Sequence, residues 1–551
     1  MFSQLPRPFL ILLGLLAIFI SLSDLGYRRL ANPDEGRYSE ISREMVVTGD
    51  FVTPRLNGLK YFEKPPLQYW ATAVAFTLFG ESEFTARLYT ALCGLGCILL
   101  IAYTGKRVFD EETGILAGVV MLSTPFFMAM TGIVTLDMGL TFWMTLAVSS
   151  FLISQHDPAQ LSRSRWLWLA WAAMAAAVLS KGLIGIVFPA AALFLYCVFQ
   201  RDFRLLFKLE WGRGSLIFLA ISVPWFVIVS LRNPEFPQFF FIHEHFERFL
   251  STVHRREQPW WFFFPILFAG FLPLAVALIP ACVAGWRRTA SPSDESGTFS
   301  PIKFILIYSA FILLFFSKSG SKLPSYILPM FPVLALVMGT YLRAAEPKRL
   351  AWLVLPVFPL SLVGAYAAWV ALAARGDEFS RPLYEGASVW AAAAVGAMGV
   401  AALASFVLLR AQRKWLGLLV LAIGTVTTIK LIDRGYERIS PLQSAFALSE
   451  SIQQHVKPET RLYSVGNYEQ SLPFYLKRTL TLVDYVDEFE MGQKLEPQKW
   501  IAKTSDFAIA WNLPGPAIAI IPHGDVDKMQ SLGLAFDVIH KDPRRAAIKK
   551  R

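Results

Sequence analysis

Runs of roughly twenty apolar residues, the length that carries a helix across a bilayer core, recur from Pro8 to about Ile432. Surface of that kind needs lipid around it. Only 17% of the side chains are charged and 55% are apolar, against about 25% charged in an ordinary soluble protein. About thirteen spans fit, near 8–24, 84–104, 114–131, 137–153, 166–180, 182–199, 215–231, 260–285, 303–317, 325–342, 351–373, 387–409 and 415–432. The first follows Arg7 like a signal sequence, but no convincing small-x-small cleavage site comes after it, so an uncleaved span is expected. The stretch 65–79 is apolar but short and begins Pro65-Pro66, which suits an interfacial helix better than a crossing.

With the amino terminus in the cytoplasm, Lys106, Arg107, Arg163, Arg165, Arg287, Arg288, Arg410 and Arg413 fall in short loops on the cytoplasmic side, a positive-inside pattern. Lys181, Arg232, Arg248, Lys318, Lys322 and several bases between Arg28 and Lys64 break it on the other side. Binding of anionic groups is one local reason, and a solvated or lipid-facing surface is the other. An odd number of crossings leaves 433–551 outside the cytoplasm. There, strand-like runs at 462–465, 480–486, 507–511 and 517–521 alternate with helix-like stretches such as 441–456. The expected fold is an α-helical polytopic membrane protein, its membrane domain 1–432 carrying the outer loops, followed by a small soluble α/β domain, 433–551.

The net charge of +11 sits in loops between apolar segments, so nucleic acid is not the implied partner. Cys93, Cys97, Cys197 and Cys282 lie inside apolar runs and imply no disulfide framework.

Polar residues that invite chemistry gather in the outer loops. The first loop opens Asn32-Pro33-Asp34-Glu35-Gly36-Arg37-Tyr38, and Tyr38, Ile41 and Met45 then line one face of a predicted surface helix ending at Gly49. On spacing alone, Asp34 and Glu35 suit a helix dipole as well as they suit function. Next comes Tyr61-Phe62-Glu63-Lys64-Pro65-Pro66, an acid beside a base. Asp137 opens a span, where an unpaired carboxylate is costly, and Lys181 stands in a very short turn, where phosphate binding competes with snorkelling. His243-Glu244-His245-Phe246-Glu247-Arg248 spaces donors on a helical face without forming a zinc-protease motif. Ser317-Lys318-Ser319-Gly320-Ser321-Lys322 is a basic loop able to hold phosphate, though not a P-loop.

Together, Asn32-Pro33-Asp34-Glu35-Gly36-Arg37-Tyr38, Glu63-Lys64-Pro65-Pro66-Leu67, Thr135-Leu136-Asp137 and Lys322-Leu323-Pro324-Ser325-Tyr326-Ile327-Leu328-Pro329 resemble the lipid A aminoarabinose transferases, membrane glycosyltransferases of the C-type fold related to protein O-mannosyltransferases. The resemblance implies a donor of undecaprenyl phosphate carrying 4-amino-4-deoxy-L-arabinose, with a lipid A phosphate as acceptor. The reaction would take place at the periplasmic face of a bacterial inner membrane, without a nucleotide and in a monomer. Asp34, Lys64 and Asp137 then match catalytic positions, Lys64, Lys181 and Arg248 match donor-phosphate contacts, and Arg37, Tyr61, Lys322 and Tyr326 match pocket walls. Glu63 and His243 match a pair that holds zinc in the family, with the metal's role open. Competing expectations are transfer of another sugar or to another acceptor, such as galacturonic acid to lipid A or mannose to protein, and a lipid flippase.

Overall fold

The computed structural model describes residues 14, 17–19, 21–247, 258–287 and 299–551, with the backbone alone at 244–247. The expected span 8–24 lies largely outside the described residues. In chain order the helices are α1 (Asp34–Thr48), α2 (Leu67–Phe79), α3 (Glu83–Val108), α4 (Glu111–Leu122), α5 (Pro125–Thr131), α6 (Leu136–His156), α7 (Gln160–Lys181), α8 (Ile184–Gln200) and α9 (Trp211–Arg232). They continue as α10 (Phe263–Gly270), α11 (Ala275–Arg287), α12 (Pro301–Lys318), α13 (Met330–Ala344), α14 (Pro347–Val354), α15 (Val357–Ala373), α16 (Arg381–Arg410) and α17 (Lys414–Arg438).

Each expected span from 84–104 onward coincides with a helix or a bent pair. Among the described residues, seven helices are long and apolar enough to cross a bilayer, or nine if each bent pair is one span. The bends have local causes. Between α4 and α5 the axis turns 71° where Pro125 offers no N–H and the Ser123 and Thr124 hydroxyls donate back to Val119 and Val120. Pro273 lies in the break of the 102° bend between α10 and α11. Helix α13 has nearly every side chain buried, whereas α14 and α15 leave most of theirs uncovered by protein. Close crossing of α3 and α4 depends on Gly114, where a Cβ would lie 2.3 Å from the Ala102 carbonyl.

Two short strands, β1 (Arg55–Leu56) and β2 (Leu59–Lys60), make a hairpin between α1 and α2. The carboxy-terminal domain holds a six-stranded mixed sheet built from β3 (Arg461–Val465), β4 (Thr481–Val483), β5 (Trp500–Ile501), β6 (Ala517–Pro522), β7 (Phe536–Lys541) and β8 (Arg545–Lys550), in the order β5-β4-β3-β6-β8-β7. Strands β5, β4, β3 and β6 are parallel, and β8 returns antiparallel to β6. Being covered on both faces, the central strands read as continuous apolar runs. Leu462 packs with Leu448 and Ile452 on one side, and Tyr463 with Phe507 and Trp511 on the other.

Two local expectations are corrected here. Residues 507–511 form no strand but the helix Thr504–Asn512, because Phe507 and Trp511, four apart, bury one helical face against Tyr463. The stretch 441–456 is not one helix. It breaks between Ser440–Gln443 and Phe446–Gln453, where the Ala445 N–H bonds the Ser471 hydroxyl and Arg545 takes the Ser444 carbonyl.

Candidate active site

Helix α1 opens with Asp34 and Glu35 in its first turn and closes on Gly49 at φ 70°, a left-handed cap that glycine adopts without strain. Tyr38, Ile41 and Met45 are buried among Leu56, Leu59, Tyr61, Tyr69 and Phe76, the face that the spacing predicts. The opposite face is covered too, which corrects the reading of a surface helix. Gly36 lies so close to the carboxy-terminal domain that a Cβ would stand 2.5 Å from the Ser471 nitrogen.

Glu35 anchors this helix. Arg87 of α3 donates to both of its oxygens at 2.7 and 2.9 Å, Arg28 stands at 3.6 Å, and the Ala31 and Val134 amides complete the shell at 3.0 and 3.1 Å. Burial alone would raise this carboxyl, but Arg87 and Arg28 overcome it and hold the group down at about 2. Glu35 is therefore a structural clamp.

A first cluster forms at the start of α1. Arg37 reaches Asp34 at 3.7 Å and Glu488 of the carboxy-terminal domain at 3.3 Å. Gln470 also donates to Glu488. Burial opposes the charge on Arg37, but the field of Tyr61, Tyr38, Glu488 and Glu63 raises its pKa, so it stays protonated. Burial pushes Glu488 up to about 7 despite Arg37. The rings of Tyr38 and Tyr69 pack 5.9 Å apart. Tyr61 is 2% exposed. The Tyr61 hydroxyl, Arg37 Nε and Gln68 Oε1 are buried without a hydrogen-bond partner among the described residues, as expected where a polar ligand completes the set. Lys64 Nζ donates to the Glu63 carbonyl at 2.8 Å.

A second cluster joins three residues far apart in sequence. Asp137, in the first turn of α6, pairs with Lys181 at the end of α7, and the Lys181 ammonium lies 4.7 Å from the centroid of the Tyr326 ring. The side chains are 9% and 14% exposed, so the pair is largely withdrawn from water. Helix α2 connects the clusters, with Tyr69 on Tyr38 and Gln68 beside Gly139, two residues beyond Asp137. Lys322 is buried and donates to the Ser319 carbonyl at 2.6 Å, closing its own loop.

The remaining expected residues stand apart from this description. Arg248 lies outside the described residues. His243 is exposed on the π-helix Gln238–Glu247 and stacks on Phe239 at 5.3 Å. No group of three or more His, Cys, Asp or Glu side chains able to hold a metal occurs among the described residues. Glu63 and His243 would be two donors where zinc takes at least three from the protein, so the described residues do not by themselves fit a zinc centre.

Sequence reasoning missed Glu488 and the partners of the cations between Arg28 and Lys64. Arg28 pairs with Glu35 and Asp433, Arg29 with Glu83, Arg43 with Glu40, Arg55 with Glu496, and Lys60 with Glu235. Several bases that break the positive-inside pattern are thus neutralised by protein carboxylates. The excess of bases in one loop was the available signal, but their partners lie up to 441 positions away.

Known proteins are similar to this chain in sequence and fold. A family model described as the aminoarabinose transferase C-terminal domain matches residues 448–550, and one for dolichyl-phosphate-mannose-protein mannosyltransferase matches 9–240. The undecaprenyl phosphate-alpha-4-amino-4-deoxy-L-arabinose arabinosyl transferase of Erwinia tasmaniensis is 32% identical over 66% of this chain and 65% of its own length. The aligned part thus spans just under two thirds of that relative. The crystal structure of ArnT from Cupriavidus metallidurans bound to undecaprenyl phosphate superposes with a TM-score of 0.92 at 34% identity, covering 99% of this chain and 98% of the other. An archaeal oligosaccharyltransferase from Archaeoglobus fulgidus shares the fold alone, with a TM-score of 0.53 at 13% identity over 96% of this chain and 71% of its own.

Proposed function

The chain belongs to the aminoarabinose transferase family, and from that premise we propose that it moves 4-amino-4-deoxy-L-arabinose from undecaprenyl phosphate to a phosphate of lipid A. The observation that supports this most is the likeness, across 99% of the chain, to a protein crystallised with undecaprenyl phosphate. The reaction takes place at the outer face of a bacterial inner membrane. The amino terminus lies in the cytoplasm, and the membrane domain 1–432 and soluble domain 433–551 form a periplasmic site in a single chain. No nucleotide takes part, because the donor is already activated as a phosphodiester.

A lipid A phosphate oxygen attacks the anomeric carbon from the face opposite the leaving group. The bond from that carbon to the undecaprenyl phosphate oxygen breaks, its electron pair leaves with the phosphate, and the configuration inverts. Two anions must converge on one carbon. Lys64, Lys181 and Arg248 offset that repulsion and stabilise the departing phosphate. Asp137 holds Lys181 in place before the donor arrives, and its carboxylate suits the ammonium of the amino sugar. The acceptor's second ionisation lies at about 6, so much of it is dianionic near neutrality and Asp34 need only orient it or take a remaining proton. Arg37, Tyr61, Lys322 and Tyr326 wall the pocket.

The test is transfer by the purified chain in lipid from a synthetic undecaprenyl phosphate aminoarabinose to lipid A, read by mass spectrometry of the acceptor. Product from this donor and not from a galacturonic acid donor or with a peptide acceptor is expected. Product from either of those instead would reassign the substrate, and lipid movement without product would make the chain a flippase.

A further inference from the structure

A second cavity lies at the other end of α1, where the first loop meets the carboxy-terminal domain. Its volume is about 490 Å³, and Arg43, Glu44, Arg55, Lys477, Arg478 and Lys499 line it. From Asp34 to this end the helix covers 15 residues, about 20 Å at the rise of an α-helix, so the cavity is separate from the Asp34 cluster. Its five cations share three carboxylates: Glu40 on Arg43, Glu496 on Arg55 and Lys499, and Glu81 on Lys477. Arg478 is held by the carbonyls of Lys457 and Thr460 and has no carboxylate of its own among the described residues. The lining therefore keeps an excess of positive charge.

Glu44 sharpens the reading. One of its oxygens accepts from the Gly58 amide at 2.9 Å, and the other is buried without a partner. Burial and the neighbouring Glu40 push this carboxyl up to about 8, so near neutrality it carries a proton able to bond an anionic oxygen. The surroundings identify what brings the anion. Lys477 pairs with Glu81, which lies between the end of α2 and the start of α3 and just after Leu78 and Phe79, 66% and 67% exposed. Val47, in the cavity wall, is 66% exposed. Cations next to bare aliphatic and aromatic surface form the pattern of a lipid headgroup site at a bilayer edge.

We propose that this cavity binds the phosphate headgroup of an anionic membrane lipid, with the acyl chains lying along Leu78 and Phe79. The site holds the outer loop and the carboxy-terminal domain to the membrane surface, whichever sugar the reaction centre transfers.

The full chain, purified in detergent, is titrated with dioleoyl phosphatidic acid and read by native mass spectrometry. Separate arms use phosphatidylcholine and inorganic phosphate. One saturable phosphatidic acid site is expected, weakened about tenfold in Lys477→Gln/Lys499→Gln, as loss of two charge-assisted contacts implies. It should be retained in Lys477→Arg/Lys499→Arg and unchanged in Lys528→Gln, which removes an exposed cation elsewhere in the carboxy-terminal domain. Equal affinity in the double glutamine variant, or equal binding of phosphatidylcholine, overturns the proposal. Inorganic phosphate binding as tightly as phosphatidic acid overturns the lipid assignment and leaves a free-phosphate site. If the double variant does not fold, Lys499→Gln alone, at a side chain 39% exposed, must still lower the affinity, and no change there overturns the proposal.

Discussion

At the scale of single residues, two of the four acids of helix α1 have opposite fates. Glu35 is held ionised by Arg87 and Arg28, whereas Glu44 is held neutral by burial. The consequence for stability follows from proton binding. An unfolded Glu44 titrates near 4.5 and the folded one near about 8, so between those values the native state holds the extra proton and stability falls as pH rises through that window. In Glu44→Gln, thermal unfolding should depend less on pH there, with the variant gaining on the parent towards the alkaline end. A parallel pH dependence in both proteins would show Glu44 ionised in the fold. Arg87→Met removes the two-point partner of buried Glu35 and leaves only Arg28 at 3.6 Å, and should destabilise by about 3–5 kcal/mol, measured as a lower unfolding midpoint in detergent. For Asp34, Asp34→Asn transfer is expected to approach the parent's above about pH 7, where the acceptor phosphate is mostly dianionic. A rate that stays low at every pH would show that Asp34 does more than take the acceptor's last proton, because the dianion has none to give. The motif around Asp34 was legible in the sequence, and so was the burden on Asp137. Lys181 as its partner was not, because 44 positions separate them and two helices bring them together.

At the scale of elements, α1 shows what periodicity can and cannot reveal. Tyr38, Ile41, Met45 and the stop at Gly49 marked the helix and one buried face correctly. Its second covered face is lined by Glu35, Ser39, Glu40, Ser42, Arg43 and Glu44. A polar stripe buried by ion pairs reads in sequence as a solvated one. Residues 507–511 failed for a related reason: a short apolar run suits strand and helix alike until its neighbours are known. Gly36 is a point of close approach between α1 and the carboxy-terminal domain. Gly36→Ala should therefore force the two apart, lowering stability by about 1–3 kcal/mol and slowing transfer, whereas Gly212→Ala, with open space around its Cβ position, should do neither. Unfolding midpoints and initial rates for the two variants provide the comparison.

At the scale of the whole molecule, the segment 28–64 and the last domain form one body. Asn57 exchanges two hydrogen bonds with the Leu480 backbone at 2.7 and 2.8 Å, Asn32 bonds both Glu469 and the Ser471 amide, and Arg55 and the Lys60 amide share Glu496. Composition announced the membrane part plainly, and alternating strands announced the domain. Their union was invisible, because its contacts join single residues across most of the chain. Removing 446–551 should expose 50–60 to protease in membranes while the spans stay protected, and an equally resistant loop in the shortened chain would show that it folds alone. The stitching also sets a schedule for biogenesis. Asn32 leaves the ribosome 437 residues before its partner Glu469, a lag of roughly 20–90 s at usual rates of synthesis. Throughout that interval the early segment carries acids and bases whose late partners have yet to be made.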